Sequence, residues 1–219
     1  MISARSRGSF SATGPAAWLA FEFTLVFIAV PAIAALGLIP VRPVPLICVA
    51  ALVAAGALQW LSPGAAIRRV AFRPAVRIVL LRTAAAGIAL VGVAALAPGA
   101  RLFGLVRHSP QNWAILMVLY PLLSALPQEV LFRVFLFRRY ALLFPSPMAQ
   151  VFASSVVFAF AHIIFASALT VLLSFIGGLL LSHTYLRSRS LWLVSIEHAV
   201  LGDLIFTVGL GAWFTYVPH

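Results

Sequence analysis

An all-α, polytopic transmembrane helical bundle of about seven spans (six to eight) is the fold class this chain predicts, and three observations predict it. Hydrophobic residues make up 63% of the 219 positions and charged ones 9%, with a mean hydropathy of +1.12, a balance that excludes a water-soluble domain. Apolar runs near the roughly 20 residues a helix needs to cross a bilayer recur along the whole chain. All four acids, Glu22, Glu129, Glu197 and Asp203, lie inside such runs. A carboxylate in hydrocarbon must be paired, protonated or bathed in a water-filled cavity, so each is a functional-site candidate.

The first segment runs from about Ala16 to Leu38. Ala32-Ile33-Ala34 looks like a cleavage site, but the apolar run is too long for a signal peptide and holds Glu22, so a retained helix is expected. The second runs from Val44 to Leu61 and the third from Ile78 to Ala97. The fourth, from Trp113 to Tyr140, is too long for one straight span, and Pro127 divides it. Proline removes a backbone bond and clashes with the preceding turn, which predicts a kink or break there. The fifth runs from Pro147 to Ile164, the sixth from Ser167 to Tyr185 and the seventh from Leu191 to Leu210. The longest polar connection, Ser62 to Arg77, leaves no room for a separate soluble domain, so 1–219 reads as a single integral membrane domain.

Charge sets the expected orientation and partners. The chain has fifteen arginines, no lysine and a net charge of +11, yet the arginines form no single patch, and no nucleic-acid partner is expected. Arg5, Arg7, Arg68, Arg69, Arg73, Arg77, Arg138, Arg139, Arg187 and Arg189 fall on one side of the spans, against Arg42, Arg101 and Arg107 on the other. The positive-inside rule then puts the N-terminus in the cytoplasm. The lone Cys48 allows neither an intrachain disulfide nor a thiolate metal cluster. Arginine without lysine, with abundant alanine, suits a GC-rich bacterial genome and hence a bacterial cytoplasmic membrane.

Three ordered motifs carry chemistry. In Pro127-Gln128-Glu129-Val130-Leu131-Phe132-Arg133, Glu129 and Arg133 are four apart and share a helix face, where the arginine can neutralise the acid. Phe158-Ala159-Phe160-Ala161-His162 ends the fifth segment on a histidine. Glu197-His198-Ala199-Val200-Leu201-Gly202-Asp203 sets three ionisable residues in seven positions of the last span, a density no packing role requires. Taken singly, the first motif also suits a structural ion pair, and a lone intramembrane histidine often only bonds a neighbouring helix.

Together and in this order, over about 113–210, the motifs resemble those of the CAAX prenyl protease and bacteriocin-processing (CPBP) family of intramembrane proteases. That family shows Glu-Glu-x-x-x-Arg, Phe-x-x-x-His and His-x-x-x-Asn or Asp. The resemblance implies an endopeptidase acting on membrane-associated peptides or proteins, with no cofactor. It implies that Glu129 and Arg133 form the supporting pair, and that His162 and His198 are the histidines of the second and third motifs.

Two positions depart from the pattern. Gln128 stands where the family's water-activating glutamate is expected, and an amide is no general base. Either Glu129 or His162 removes the proton from water, with His198 and Gln128 or Asp203 stabilising the oxyanion, or the chain is an inactive membrane scaffold or binding protein. Asp203 follows His198 by five residues rather than four, which on a regular helix leaves the two about 140° apart, and a π-bulge at Gly202 would close that gap. His162, His198, Glu129 and Asp203 offer nitrogen and oxygen donors of the type zinc accepts, which leaves zinc as the alternative with no ligand set assigned, although no His-Glu-x-x-His helix is present. Glu22 and Arg82 suit a transport relay or simple inter-helix pairs. His108 and His183 read as interfacial, and Glu197 as pairing with an arginine or lining the cavity rim.

Overall fold

The computed structural model describes residues 13–38, 42–61 and 72–215. Arg5, Arg7, Arg68, Arg69 and His219, and much of the Ser62 to Arg77 connection, lie outside the described residues. Among the described residues, seven helices are long and apolar enough to cross a membrane: α1 (Gly14–Ala35), α2 (Pro43–Trp60), α3 (Val76–Leu96), α4 (Pro110–Arg139), α5 (Pro147–Phe165), α6 (Ala168–Ser188) and α7 (Leu191–Val208). No strand occurs among the described residues.

The bundle is inside-out relative to a water-soluble protein. Large apolar side chains such as Leu52, Leu81, Ile88, Phe152 and Ile196 point outward, while Glu129, Arg133, Ser154, Ser155, Ser182 and Glu197 are buried. Lipid solvates the first set, and the second can satisfy itself only within the protein. An aromatic and aliphatic core of Phe27, Phe132, Leu136, Tyr140, Leu181 and Val194 ties α1 and α4 to α6 and α7.

Serines cap three of the helices. Ser146, Ser167 and Ser190 accept from the backbone N–H three residues ahead, starting α5, α6 and α7, with proline at the first turn of α5. Gly209 ends α7 with φ +103°, a left-handed cap that glycine adopts without strain. A Cβ there would also collide with the Arg101 carbonyl.

α4 does not break at Pro127. The helix runs on through it and widens instead into two π-helical stretches, Pro121–Ala125 and Val130–Phe135. A π-turn adds a residue per turn and so absorbs the clash and the missing bond. Two neighbouring helices serve carbonyls of this region: the Cys48 thiol of α2 donates to the Leu123 carbonyl at 3.3 Å, and Ser154 of α5 donates to the Phe132 carbonyl at 2.8 Å. Leu123 is the residue four before Pro127, whose carbonyl the proline deprives of a donor.

Two inter-helix ion pairs fix the rest. Arg139 donates to Glu22 in a fork, at 2.9 Å from Nε and 2.6 Å from Nη2, and the Tyr140 hydroxyl adds a bond at 2.8 Å. Burial first, and then this bond to a carboxylate, hold the Tyr140 phenol above its usual range. Arg82 of α3 donates to Glu197 of α7 at 2.9 Å and, from the same nitrogen, to Thr184 of α6.

Candidate active site

The widened part of α4 carries the first motif. Glu129 is wholly buried, and its Oε1 receives two groups: the His198 Nδ1–H at 2.7 Å and the Arg133 guanidinium at 3.2 Å. Arg133 is also wholly buried. It lies 4.4 Å above the Phe158 ring and points Nη2 at the Gly178 carbonyl, 3.5 Å away. Cation–π contact and carbonyl together hold the arginine where water cannot reach it. Gly178 lets α6 approach there, since a Cβ on it would stand 3.0 Å from the Ser155 backbone.

Phe158 is the hub of the arrangement. Its ring lies 4.7 Å from the His162 ring and 5.5 Å from the His198 ring, so one aromatic spacer separates and orients both histidines. The His162 Nδ1–H donates to the Phe158 carbonyl at 2.7 Å. A carbonyl can only accept, so the proton sits on Nδ1 and leaves Nε2 with a free lone pair. The bond of His198 to the Glu129 carboxylate fixes the same tautomer in that ring. α5 tightens into a 3-10 turn at His162–Phe165, which places His162 at the end of the regular helix.

His162, His198 and Gln128 line a cavity of about 1070 Å³. The three motifs sit on α4, α5 and α7, but residues of α1, α2, α3 and α6 line the cavity too. Its wall is overwhelmingly apolar, and Tyr120, Ser124 and Ser174 are among the few other polar side chains on it. Gln128 Nε2 donates to the Ser124 hydroxyl at 2.7 Å, which leaves its second N–H uncommitted. Glu129 and Arg133 lie behind the histidines and do not line the cavity.

The expectation for Asp203 fails geometrically. α7 is regular α-helix from Leu191 to Val208, with no π-bulge at Gly202. Asp203 therefore points about 140° away from His198, half-buried and off the cavity wall. Gly202 has a different reason to be glycine: a Cβ there would collide with the hydroxyl-bearing edge of the Tyr120 ring. Tyr120, which sequence reasoning missed, packs edge-on to His198 with ring centroids 6.1 Å apart. No motif flagged it, because a tyrosine in an apolar run looks like any interfacial aromatic.

Glu197, adjacent to His198, faces α3 and pairs with Arg82 rather than with the site. Glu22 pairs with Arg139, so the two isolated ionisable groups are inter-helix ties. Among the described residues, no group of three or more His, Cys, Asp or Glu side chains converges as a metal site would require.

Residues 110–202 match the family model described as "Type II CAAX prenyl endopeptidase Rce1-like". The match bears out the resemblance read from the motifs, and it spans all three of them apart from the final residue, Asp203. It covers less than half of the 219 residues. No curated protein and no solved structure matches the chain.

Proposed function

We propose that this chain is an intramembrane endopeptidase that hydrolyses peptide bonds of membrane-associated peptides or proteins. The observation that carries the reading is the bond from His198 to Glu129, backed by Arg133, in a ring that also faces the cavity. A carboxylate on Nδ1 fixes the tautomer and stabilises the imidazolium that forms when Nε2 takes a proton, the logic by which a buried acid supports a histidine base.

In this scheme the two histidines present Nε2 lone pairs to one water, His198 removes its proton, and the oxygen attacks the scissile carbonyl. Glu129 acts through His198 and not on the water, because its Oε1 is already engaged and it lies behind the cavity wall. His198 then passes the proton to the leaving amine, and the bond from carbonyl carbon to nitrogen breaks. The free N–H of Gln128 meets the developing oxyanion.

The apolar wall suits an apolar or lipidated segment entering from the bilayer. The matching family's description names prenylated CAAX substrates, so these are the class to try first. The test is cleavage, in lipid nanodiscs, of CAAX peptides with and without the prenyl group and of a membrane-protein library. Cleavage by wild type that vanishes in Glu129→Gln and His198→Ala supports the reading, and cleavage that persists in both overturns it.

One observation favours a second reading, a scaffold that has lost hydrolysis and binds membrane segments. Gln128 occupies the cavity position where the family pattern has an acid. Wild type that cuts nothing, with cleavage appearing in Gln128→Glu, would select it.

A further inference from the structure

On a regular α7, the residue on the same face as His198 one turn later is position 202, about 40° around. Gly202 provides no side chain there. The ring of Tyr120 fills the space, with its hydroxyl among the atoms that a Cβ on Gly202 would strike. Tyr120 lines the same cavity as His162, His198 and Gln128. Its ring makes edge-on contacts with two residues of α7, His198 at a centroid distance of 6.1 Å and Phe206 at 5.4 Å. The two contacts orient the ring, and its hydroxyl has no hydrogen-bond partner among the described residues.

We infer that the Tyr120 hydroxyl is a catalytic oxyanion donor, delivered from α4 to the face of α7 that Gly202 leaves open. The inference rests on the peptidase reading above and extends it. A phenol is well suited to the task, because a half-buried hydroxyl on the cavity wall, held in place by its ring contacts, needs little reorganisation as charge develops. Gln128 and Tyr120 both come from α4, one just before the Glu129 and Arg133 pair and one nine positions before Glu129. The helix that supports the base would thus also supply both donors. The smallness of position 202 becomes part of the site, since any larger residue would displace the phenol.

The test separates this inference from the peptidase reading by measuring binding as well as turnover. The probes are a peptidyl phosphonate, whose tetrahedral anion mimics the oxyanion, and the matching uncleavable ground-state peptide, each titrated against protein in nanodiscs. Tyr120→Phe keeps the ring and removes only the hydroxyl. The expected result is at least a ten-fold loss of phosphonate affinity with unchanged affinity for the ground-state peptide, and a fall in kcat with KM held. A second variant, Gly202→Asn with Tyr120→Ala, places an amide on the same helix face and is expected to recover part of the phosphonate affinity. Equal phosphonate affinity in wild type and Tyr120→Phe overturns the inference and leaves the peptidase reading intact. A wild type that prefers neither probe over buffer overturns both.

Discussion

His198 donates its Nδ1 proton to Oε1 of Glu129 across 2.7 Å, joining residues 69 positions apart in the sequence. A pair that works as a unit should fail as a unit. Glu129→Gln and His198→Ala are each expected to lower kcat/KM for peptide cleavage by about 10²–10⁴, the range of a general base. The double variant should be no worse than the poorer single. Multiplicative losses would show that the two act separately.

Gln128→Glu distinguishes the two functional readings by sign. If Gln128 donates an N–H to the oxyanion, a carboxylate in its place removes a donor and adds like charge, and cleavage should drop by about 10²-fold or more. A gain in cleavage would mean that the base is missing from the natural chain. Initial rates on one peptide substrate decide the matter.

Arg82 makes both of its contacts, to Glu197 and Thr184, through Nη2 alone. One ammonium nitrogen can stand in for that single nitrogen, so Arg82→Lys should keep stability within about 1 kcal/mol. Arg82→Gln strands the buried Glu197 carboxylate, and loss of one partner of such a pair costs about 3–5 kcal/mol when both are buried. Because the Arg82 side chain is 24% exposed, the lower end is expected. Reversible unfolding in mixed detergent measures the difference.

Gly202→Ala forces a Cβ into the Tyr120 ring, and overpacking of this kind costs about 1–3 kcal/mol. Adding Tyr120→Ala should relieve the clash and return much of the lost stability. Thermal melts of the single and double variants suffice. An unperturbed single variant would show that the ring has room to move.

Chelation should leave cleavage unchanged, because the proposed chemistry uses only side chains. Dialysis against a strong zinc chelator, followed by the peptide assay, checks this. A loss of ten-fold or more that added zinc restores would favour the metal mechanism instead.

The spans were legible because hydropathy and length are properties of contiguous residues, and the bilayer reads them segment by segment. The motif residues His162, His198, Glu129 and Gln128 were legible because ionisable and amide groups in hydrocarbon stand out against an apolar background. Pro127 was legible as a disturbance but not in its outcome. Whether a proline breaks a helix or widens it depends on donors from other helices, here Cys48 and Ser154.

An all-α chain of about seven apolar spans, the ordered motifs and the i, i+4 pairing of Glu129 with Arg133 follow from the order of residues alone, since each depends on spacing along one helix. Which groups meet depended on the packing of the bundle. It turned Asp203 away from His198, paired Glu197 with Arg82, sent Glu129 behind the cavity to hold His198, and brought Tyr120 over Gly202. The physical reason is that a helix carries its side chains around at about 100° per residue. Which of them converge is therefore set by how each helix is rotated against its neighbours, and that rotation is fixed by small residues and polar ties between helices distant in sequence.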